Sequence, residues 1–286
     1  MTSVLGIFRA ACYSPGLVER DEAILRAVAE RLQRVGYAVR LVREEDFTTD
    51  IPIPDIVLHM VRSPRVLDIL QSWQEAGCRV INSVEGVRGV ERAALAEMCA
   101  AQGIPTPKTW IVGTANSKLL TARTTDGEDV HISFPCWVKR TGSCAQAPDD
   151  VSRVDDAEGY VQCLSRFHAR HIDRVVVMEH LEGVGLKFYA IPDVGFFYSL
   201  PSASLGYDKF SKGMLNHVVD DTMCCGESVS SQLPVFNFPL EIYGGDAIIG
   251  SDGVARLIDL NDWPSFSVCR DEAADAIVHL VMHINK

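Results

Sequence analysis

Apolar and polar positions follow two periods over the first part of the chain, one typical of strands and one typical of helices. Between the first two apolar runs, Ile24, Val28 and Leu32 recur at helical spacing, and Gly36 occupies a helix C-cap position. A second helix is predicted at residues 66–76. Strands that alternate with helices of this length predict a small parallel α/β domain. The runs that predict its strands lie at residues 3–8, 38–42, 55–61 and 78–82.

The pattern changes at the boundary that we place between two domains, 1–83 and 84–286. A helix is predicted at residues 90–102, and Pro105 and Pro107 follow its end. The later strands are longer and suited to hairpins, so the second domain is predicted to be α+β. These strands are predicted in the segments KTWIV, DVHISF, PCWVKR, RVVVMEHL, LKFYAI, GFFYSL, YGGDAIIG and VARLIDLN, ahead of a last helix at 271–283.

Length and composition agree with a folded protein of about two domains. The chain has 286 residues, of which 47% are hydrophobic and 23% are charged, and this excludes disordered, collagen-like and disulfide-framework classes. Its formal net charge is −11, whereas attraction to phosphates needs clustered Lys and Arg. We therefore expect no nucleic acid and no membrane as partner, although a local basic site for an anionic ligand stays open.

The cysteines and the lack of long apolar segments bear on the compartment. The nine cysteines are odd in number, scattered, and without zinc-like spacing, so we expect reduced thiols. No basic leader with a long apolar region opens the chain, and no run reaches about 18 apolar residues. These observations predict a soluble, cytoplasmic protein.

The strongest local signal is an acidic hairpin, in which Asp252-Gly253 between apolar runs predicts a two-residue turn. That register places Asp246 opposite Asp259, and the side chain of Asn261 points to the same face. Two carboxylates and an amide oxygen at one place suit Mg²⁺, and Asp is otherwise depleted from strands. The alternative is a solvated acidic face on an exposed hairpin.

Two lysines stand where they could meet an anionic ligand. Lys139 ends an apolar strand just before the small residues 141–143, and a cation followed by flexible backbone donors can hold phosphate oxygens. Lys187 shares a strand face with Tyr189 and is a candidate for a ligand-facing charge. For both lysines the alternative is a solvated side chain. The sequence has no P-loop, no complete dinucleotide fingerprint, and neither G-x-S-x-G nor H-E-x-x-H.

Four segments from residue 82 to residue 285, taken in order, resemble the ATP-grasp superfamily. The first is VERAAL followed by QGIPTP, where members usually carry a lysine that contacts the nucleotide phosphates. Arg92 stands there and keeps the charge with a different geometry. The second is FPCWVK, in which Lys139 matches a lysine that reaches the phosphates. Ser143 then belongs to the loop that covers them.

The third segment, VVVMEHLEG, resembles the hinge at which family members recognise the base of ATP. The resemblance assigns Glu179, His180 and Leu181 to adenine. It assigns Glu182 to the ribose, and Lys187 is a further candidate for contact with the nucleotide. This region together with LKFY also resembles inositol polyphosphate kinases, whereas the whole layout is equally similar to ribosomal-protein glutamate ligases and glutathione synthetases.

The fourth segment resembles the metal strands of the superfamily. It implies Asp246, Asp259 and Asn261 as ligands of Mg²⁺ or, in its place, Mn²⁺, although many ligases have Glu where this chain has Asp259. The implied architecture is an ATP-grasp fold behind the small N-terminal domain. Its central lobe covers about 84–175 and its C-terminal lobe about 176–286.

The resemblance implies ATP-dependent chemistry and leaves its class open. In a ligase, ATP phosphorylates a small acid, and an amine or thiol displaces the acyl-phosphate. In a kinase, the same groups transfer phosphate to an alcohol. A nucleotide-binding module without catalysis is the third alternative, disfavoured by the retention of both Asp residues and the Asn. The frequency of ligases in the superfamily favours the first.

Further candidate residues lie outside the four segments. Lys209, Lys212 and Asn216 loosely match positions near the γ-phosphate in ligases, and Arg270 lies just past the metal strands. For the acceptor we turn to the N-terminal domain, because ligands of parallel sheets bind beyond the carboxyl ends of the strands. This selects two arginines that could clamp a carboxylate or phosphate, and one serine near them; alternatively the arginines are ordinary surface residues. They are Arg9, Arg62 and Ser14.

Overall fold

A computed structural model of the chain describes residues 1–115, 120–123, 129–142, 145–205 and 238–284. The chain divides into two compact units. The first unit consists of Met1–Arg88, Gly185–Asp246 and Leu260–Lys286, and the second consists of Gly89–Val184 and Ala247–Asp259. The domains that the sequence predicts, 1–83 and 84–286, stay a proposal about the organisation of the chain.

The first unit opens with alternating strands and helices, which are β1 (Ser3–Phe8), α1 (Val18–Arg34), β2 (Ala38–Arg43), β3 (Ile56–His59), α2 (Pro64–Glu75) and β4 (Arg79–Ile81). The strands form one sheet in the order β2-β1-β3-β4. All three neighbouring pairs are parallel. The predicted parallel α/β fold of this part of the chain is therefore confirmed.

Helix α1 shows how the local sequence sets these elements. Glu19 and Asp21 stand in its first turn and Arg31 and Arg34 in its last, the arrangement that the helix dipole favours. Just beyond the helix, Gly36 takes a φ of 93°, which residues with a side chain rarely adopt. The apolar stripe of the helix packs into the core of the first unit through Ile24, Leu25, Val28 and Leu32.

The chain continues with α3 (Val84–Gly89), α4 (Arg92–Gln102), β5 (Thr109–Gly113), β6 (Thr121–Arg123), β7 (Asp129–His131), β8 (Cys136–Arg140), β9 (Val151–Val154), α5 (Ala157–Ala169) and β10 (Arg174–Glu179). An antiparallel sheet in the order β5-β10-β8-β9 forms the body of the second unit, and β6 pairs with β7. The helix predicted at residues 90–102 begins at Arg92 and follows the separate short helix α3.

Four elements of this region were missed by the sequence analysis: α3, β6, β9 and α5. Helix α5 begins at Ala157 and is capped by Asp156, whose carboxylate accepts the Gly159 N–H at 2.8 Å. Gly159 in the first turn weakens the helix signal, because glycine is a poor helix former. The signal was nevertheless present, since buried residues recur at helical spacing at Tyr160, Cys163, Leu164 and Phe167.

The last part of the chain forms β11 (Val184–Ile191), β12 (Phe196–Pro201), β13 (Tyr243–Ile249), β14 (Ala255–Asp262) and α6 (Arg270–Ile284). The strands form a sheet in the order β12-β11-β13-β14. Apolar residues from this part complete the core of the first unit around α1 and β1, among them Tyr189, Ile191, Ile242, Trp263 and Ile277. The mixed α/β and α+β character that the sequence predicts is confirmed.

The turn between β13 and β14 is longer than the sequence predicts. The Gly253 N–H donates to the Gly250 carbonyl at 3.0 Å, and the Gly250 N–H donates to the Val254 carbonyl at 3.2 Å. The loop therefore has three residues, with Gly253 at a φ of 75°, and the expected two-residue turn was wrong. The pairing of Asp246 with Asp259 was derived from the two-residue turn and loses that support.

Candidate functional site

A small cavity of about 20 Å³ in the second unit brings three charged side chains to one wall. They are Arg92 at the start of α4, Lys139 on β8 and Asp259 on β14. The rest of the lining is apolar or carries small hydroxyls, and consists of Leu95, Ala96, Cys99, Thr106, Thr109, Val176, Met178, Leu257 and Ile258. An apolar chamber with a few convergent charges suits a ligand that has a flat apolar part and an anionic part.

Arg92 is held in this wall by oxygen atoms. Only 8% of its side chain is exposed. One terminal nitrogen donates to the carbonyls of Arg140 and Gly142 at 3.3 Å each, and the other lies 3.4 Å from a carboxylate oxygen of Asp259. A cation in the first turn of a helix opposes the helix dipole, so these acceptors offset an unfavourable position. Arg92 therefore places a cation at the helix N-terminus, where an anionic ligand would find both the guanidinium and the helix dipole.

Lys139 reaches the same part of the wall from β8. It is buried, and its Nζ donates to the Ile258 carbonyl at 2.6 Å, next to Asp259. In the antiparallel pairing of β8 with β10, Lys139 stands opposite Val176, and directly opposed residues point to the same face. Met178 follows two residues later on that face. Strand alternation therefore places Lys139 beside the apolar part of the cavity.

The predicted contacts to adenine and ribose lie at a second, more open pocket of about 440 Å³, also within the second unit. Glu179, Leu181 and Glu182 line this pocket, whereas none of the three lines the cavity of Arg92. The backbone of Glu179 is tied to Lys108, whose carbonyl accepts the Glu179 N–H at 2.8 Å. The assignment of these residues to the base and the ribose stays a prediction.

His180 points away from solvent instead of into an open pocket. Only 4% of its side chain is exposed, and its Nδ1 accepts the indole N–H of Trp137 at 3.1 Å. Its Nε2 lies 3.4 Å from the carboxylate of Glu182. The ring thereby fixes the chain just after β10, and any contact of His180 with a base would come from its backbone.

The sequence analysis missed most of the apolar lining of the cavity. Cys99, Thr109 and Met178 were not singled out, because a single apolar residue on a helix or strand carries no sign of what it faces. The alternation of β10 held a usable signal, since Met178 shares the face of Val176 opposite Lys139. Thr109 faces Met178 across the pairing of β5 with β10, which the sequence does not reveal.

Lys187 and Asp246 form an ion pair within the first unit. The Lys187 Nζ lies 3.2 Å from one carboxylate oxygen and 3.5 Å from the other. Their side chains are 19% and 25% exposed, so solvent and ligands can reach both. Lys187 also lies 5.9 Å from the centre of the Tyr189 ring, as the shared strand face predicts.

The predicted metal ligands provide donors of the right chemistry. Asp246 and Asp259 are 25% and 24% exposed, and each lies beside a cation, Lys187 or Arg92. Hard carboxylate and amide oxygens of this kind fit Mg²⁺. Asp246 and Asn261 belong to the first unit and Asp259 to the second, so the set itself stays a prediction. Across the described ranges, no cluster of three or more His, Cys, Asp and Glu side chains could hold a metal ion.

The acceptor candidates in the first unit are already engaged with other residues. Arg62 forms a two-pronged ion pair with Asp262, and the two side chains are only 3% and 1% exposed. Arg9 pairs with Asp21 at 3.2 Å, and the Ser14 hydroxyl donates to the same carboxylate at 2.7 Å. The two arginines that were predicted to bind a substrate carboxylate or phosphate thus each bind a carboxylate of the chain itself.

The remaining candidates are less informative. Arg270 begins α6, and its Nε is buried without a hydrogen-bond partner among the described residues. Ser143, Lys209, Lys212 and Asn216 lie outside the described residues. Their assignment to the phosphates of a nucleotide stays a prediction.

No protein-family model and no curated protein sequence matches this chain. Solved structures of similar fold do match, and they extend over nearly its whole length. A RimK-domain ATP-grasp protein from Sphaerobacter thermophilus is 14% identical, with a TM-score of 0.64, and the match covers 98% of this chain and 99% of that one. The D-alanine–D-alanine ligase of Bacillus anthracis complexed with ATP is 13% identical, with a TM-score of 0.65, and the match covers 99% of this chain and 98% of that one. The ATP-grasp ligase PsnB complexed with minimal precursor is 16% identical, with a TM-score of 0.59, and the match covers 98% of this chain and 99% of that one.

These matches show that the chain has the ATP-grasp fold, and the fold expected from the four sequence segments is confirmed. Sequence identity to these structures is only 13% to 16%, which is why the sequence resembles the superfamily only in short segments. A separate observation concerns membranes: none of the helices in the described residues combines the length and apolar character needed to cross a bilayer.

Proposed function

We propose that this chain is an ATP- and Mg²⁺-dependent ligase, located in the cytoplasm, that joins a small carboxylic acid to an amine or a thiol. The observation that carries the proposal is the cavity of the second unit, where Arg92, Lys139 and Asp259 meet at the end of an apolar chamber. The cationic wall suits a polyphosphate, and the base is assigned to the second pocket, which is lined by Glu179, Leu181 and Glu182. Two structures of the same fold are named as ligases, one of them complexed with ATP, which supports this choice.

The charged groups divide the work of holding the nucleotide. One terminal nitrogen of Arg92 keeps the backbone carbonyls of Arg140 and Gly142, the other turns from Asp259 to a phosphate oxygen, and Lys139 places a second cation beside it. Bound Mg²⁺ would neutralise charge on the phosphates, held by Asp246, Asp259 and Asn261. Asp259, whose carboxylate lies 3.4 Å from Arg92, would contribute an oxygen to the ion. Lys187 beside Asp246 would balance the second acidic ligand.

The reaction needs two displacements. A carboxylate oxygen of the substrate attacks the γ-phosphorus, and the bond to the β-phosphate oxygen breaks, which yields an acyl-phosphate and ADP. The amine or thiol then attacks the acyl carbon and expels inorganic phosphate. Arg92 and Lys139 contribute by stabilising the negative charge that shifts to the leaving phosphate oxygens in the first displacement. Arg270 and the undescribed Lys209 and Asn216 are proposed near the γ-phosphate.

Isotope tracing from ATP labelled at the γ-phosphate separates this proposal from the kinase alternative. The chain is incubated with Mg²⁺, pooled small acids, and pooled amines and thiols. The ligase proposal predicts labelled inorganic phosphate whose release requires both an acid and an amine or thiol. Label that moves stably to an alcohol contradicts it and supports a kinase. Equilibrium binding of ATP without any turnover also contradicts it and supports a binding module.

A further inference from the structure

A buried carboxylate lies behind the segment that follows Lys139. Asp150 is completely buried and immediately precedes β9, whose first residue Val151 pairs with Lys139. One Asp150 oxygen accepts the backbone N–H groups of Gln146 at 2.7 Å and Ala147 at 3.0 Å. Asp150 therefore fixes the end of the connection between β8 and β9, ten residues that begin directly after β8.

Two arginines bind the same carboxylate. Arg170, just after α5, donates to the other Asp150 oxygen at 2.6 Å, and Arg140 at the end of β8 lies 3.7 Å away. Burial by itself raises the pKa of Asp150, but the two N–H groups and Arg170 together outweigh it, so the pKa lies below its ordinary value. The carboxylate stays charged at neutral pH and holds both ends of the connection.

The opposite side of this connection touches the nucleotide site. Arg92 donates to the carbonyls of Arg140 and Gly142, so residues 140–142 lie between Arg92 and Asp150. The position of these carbonyls sets the direction in which the Arg92 guanidinium points. A displacement of residues 140–142 would turn Arg92 away from the orientation it has beside Asp259.

We propose that Asp150 is a positioning residue for the phosphates of the nucleotide, acting through residues 140–142 on Arg92. The inference rests on the proposed function, because it assumes that Arg92 binds phosphate. Asp150 itself is buried behind the segment and touches no part of the ligand. This role differs from a general stabilising role, because replacing Asp150 should lower the affinity only for ligands that carry a polyphosphate.

The test compares Asp150→Asn with Asp149→Asn in the intact chain. Asp149 binds the same Arg170, at 3.0 Å, and among the described residues its carboxylate accepts no N–H group of the connection, so it is a matched control. Affinities for ADP and for adenosine are measured by titration calorimetry, and folding is checked by thermal unfolding. Asp150→Asn should lower the affinity for ADP roughly 10- to 100-fold, the range expected for lost charged hydrogen bonds, and leave the affinity for adenosine unchanged. Asp149→Asn should bind both ligands as the original chain does.

The outcomes separate the two proposals. If the unaltered chain binds neither ligand, the proposed function fails. If it binds both and folded Asp150→Asn binds ADP equally well, the positioning role fails while the function stands. An equal loss of ADP and adenosine means a purely structural role and also overturns the inference. Should Asp150→Asn not fold, Arg170→Gln decides, because Arg170 is 31% exposed and its loss leaves the N–H bonds to Asp150 in place. It should weaken ADP but not adenosine.

Discussion

Two Arg–Asp pairs, one in each unit, use the same side chains for opposite purposes. In the first unit Arg62 and Asp262 are 3% and 1% exposed and bind each other through both carboxylate oxygens. In the second unit Arg92 and Asp259 are 8% and 24% exposed, and they meet at a single contact of 3.4 Å. The second pair lines a cavity, so its contacts can be exchanged for those of a ligand.

The contrast shows that residue type does not identify a binding arginine. A buried two-pronged pair satisfies its own charges, and removing either partner leaves an uncompensated charge in the interior. A long contact beside a cavity costs little to break, and its partners keep hydrogen-bonding capacity for a ligand. On this basis we assign Arg62 to the stability of the first unit and propose Arg92 as a ligand-binding residue of the second.

The largest effect is expected for Arg62→Ala. It leaves the Asp262 carboxylate buried without its partner, so the free energy of unfolding should fall by about 3–5 kcal/mol. Urea unfolding followed by circular dichroism measures this change. As control, Arg88→Ala breaks the exposed pair with Asp68 and should cost at most about 1 kcal/mol. Equal stability of the two variants would falsify the structural role of Arg62.

Next in size is the effect of Asp259→Ala on activity. Loss of this carboxylate should lower Mg·ATP-dependent turnover by roughly 10²–10³-fold, because it removes an electrostatic contribution at the phosphates. Stability should change by only about 1 kcal/mol, since the Arg92 guanidinium keeps its two carbonyl acceptors. The control Asp155→Ala removes an exposed carboxylate of the same unit and should leave turnover unchanged. Undiminished turnover in Asp259→Ala rules out the metal assignment of this residue.

Acid should destabilise the first unit through His59. This residue is fully buried, its Nδ1 accepts the Val61 N–H at 3.3 Å, and its Nε2–H donates to the Asn82 carbonyl at 2.9 Å. The pKa of His59 is lowered from 6.5 to about 4, mainly by burial; the hydrogen bond to the Asn82 carbonyl opposes this shift, and the Arg62 charge adds to it. Between these pH values the unfolded chain binds a proton that the folded chain refuses. Stability present above pH 6.5 is therefore lost as pH falls towards 4, by about 3 kcal/mol from this group.

The His59→Gln variant isolates this contribution. Gln can accept the Val61 N–H and donate to the Asn82 carbonyl, but it does not titrate. Urea unfolding at pH 7, 5.5 and 4.5 should show a steeper loss of stability in the unaltered chain than in the variant. Parallel losses in both proteins would mean that His59 does not titrate on unfolding, and that other groups cause the acid sensitivity.

The elements of the fold were largely predictable because their signals are local. Apolar runs gave β1 with its observed bounds, and helical periodicity indicated α1 and α6. Helix α5 was missed although its apolar spacing is regular, since Gly159 interrupts the first turn. The hairpin turn was assigned one residue too short, because Asp-Gly also fits a three-residue loop that ends in a left-handed glycine.

The charged part of the site was partly predictable, but its pairing was not. Lys139 and Arg92 were selected by their motifs and do line one cavity with Asp259. Sequence reasoning also selected Arg62 as a ligand-binding residue. The sequence does not show that its guanidinium binds Asp262, which lies 200 residues away along the chain. Cys99 and Met178 escaped notice, since which apolar side chains face a cavity depends on sheet pairing and helix packing.

The smallest effect distinguishes a cavity cysteine from a core cysteine. Cys99 lines the cavity of the second unit, and burial raises the pKa of its thiol to about 11, so only about one molecule in 10³ is thiolate at pH 8. Cys269 lies in the core of the first unit, with a pKa raised to about 12, mainly by burial and secondarily by Glu272. Alkylation by iodoacetamide, followed at each peptide by mass spectrometry, should therefore be slow at both.

Saturating ADP should slow alkylation of Cys99 more than that of Cys269. A ligand that binds only the folded chain slows every reaction that requires global unfolding, and it does so by one common factor. Cys269 measures this factor, because it lies in the core of the first unit and does not line the cavity of the second. Protection of Cys99 beyond that of Cys269 thus reports a ligand seated against the cavity wall. Equal protection of both thiols would mean that ADP does not bind against the cavity wall. The proposed ligand-binding role of the Arg92 pair would then lose its support.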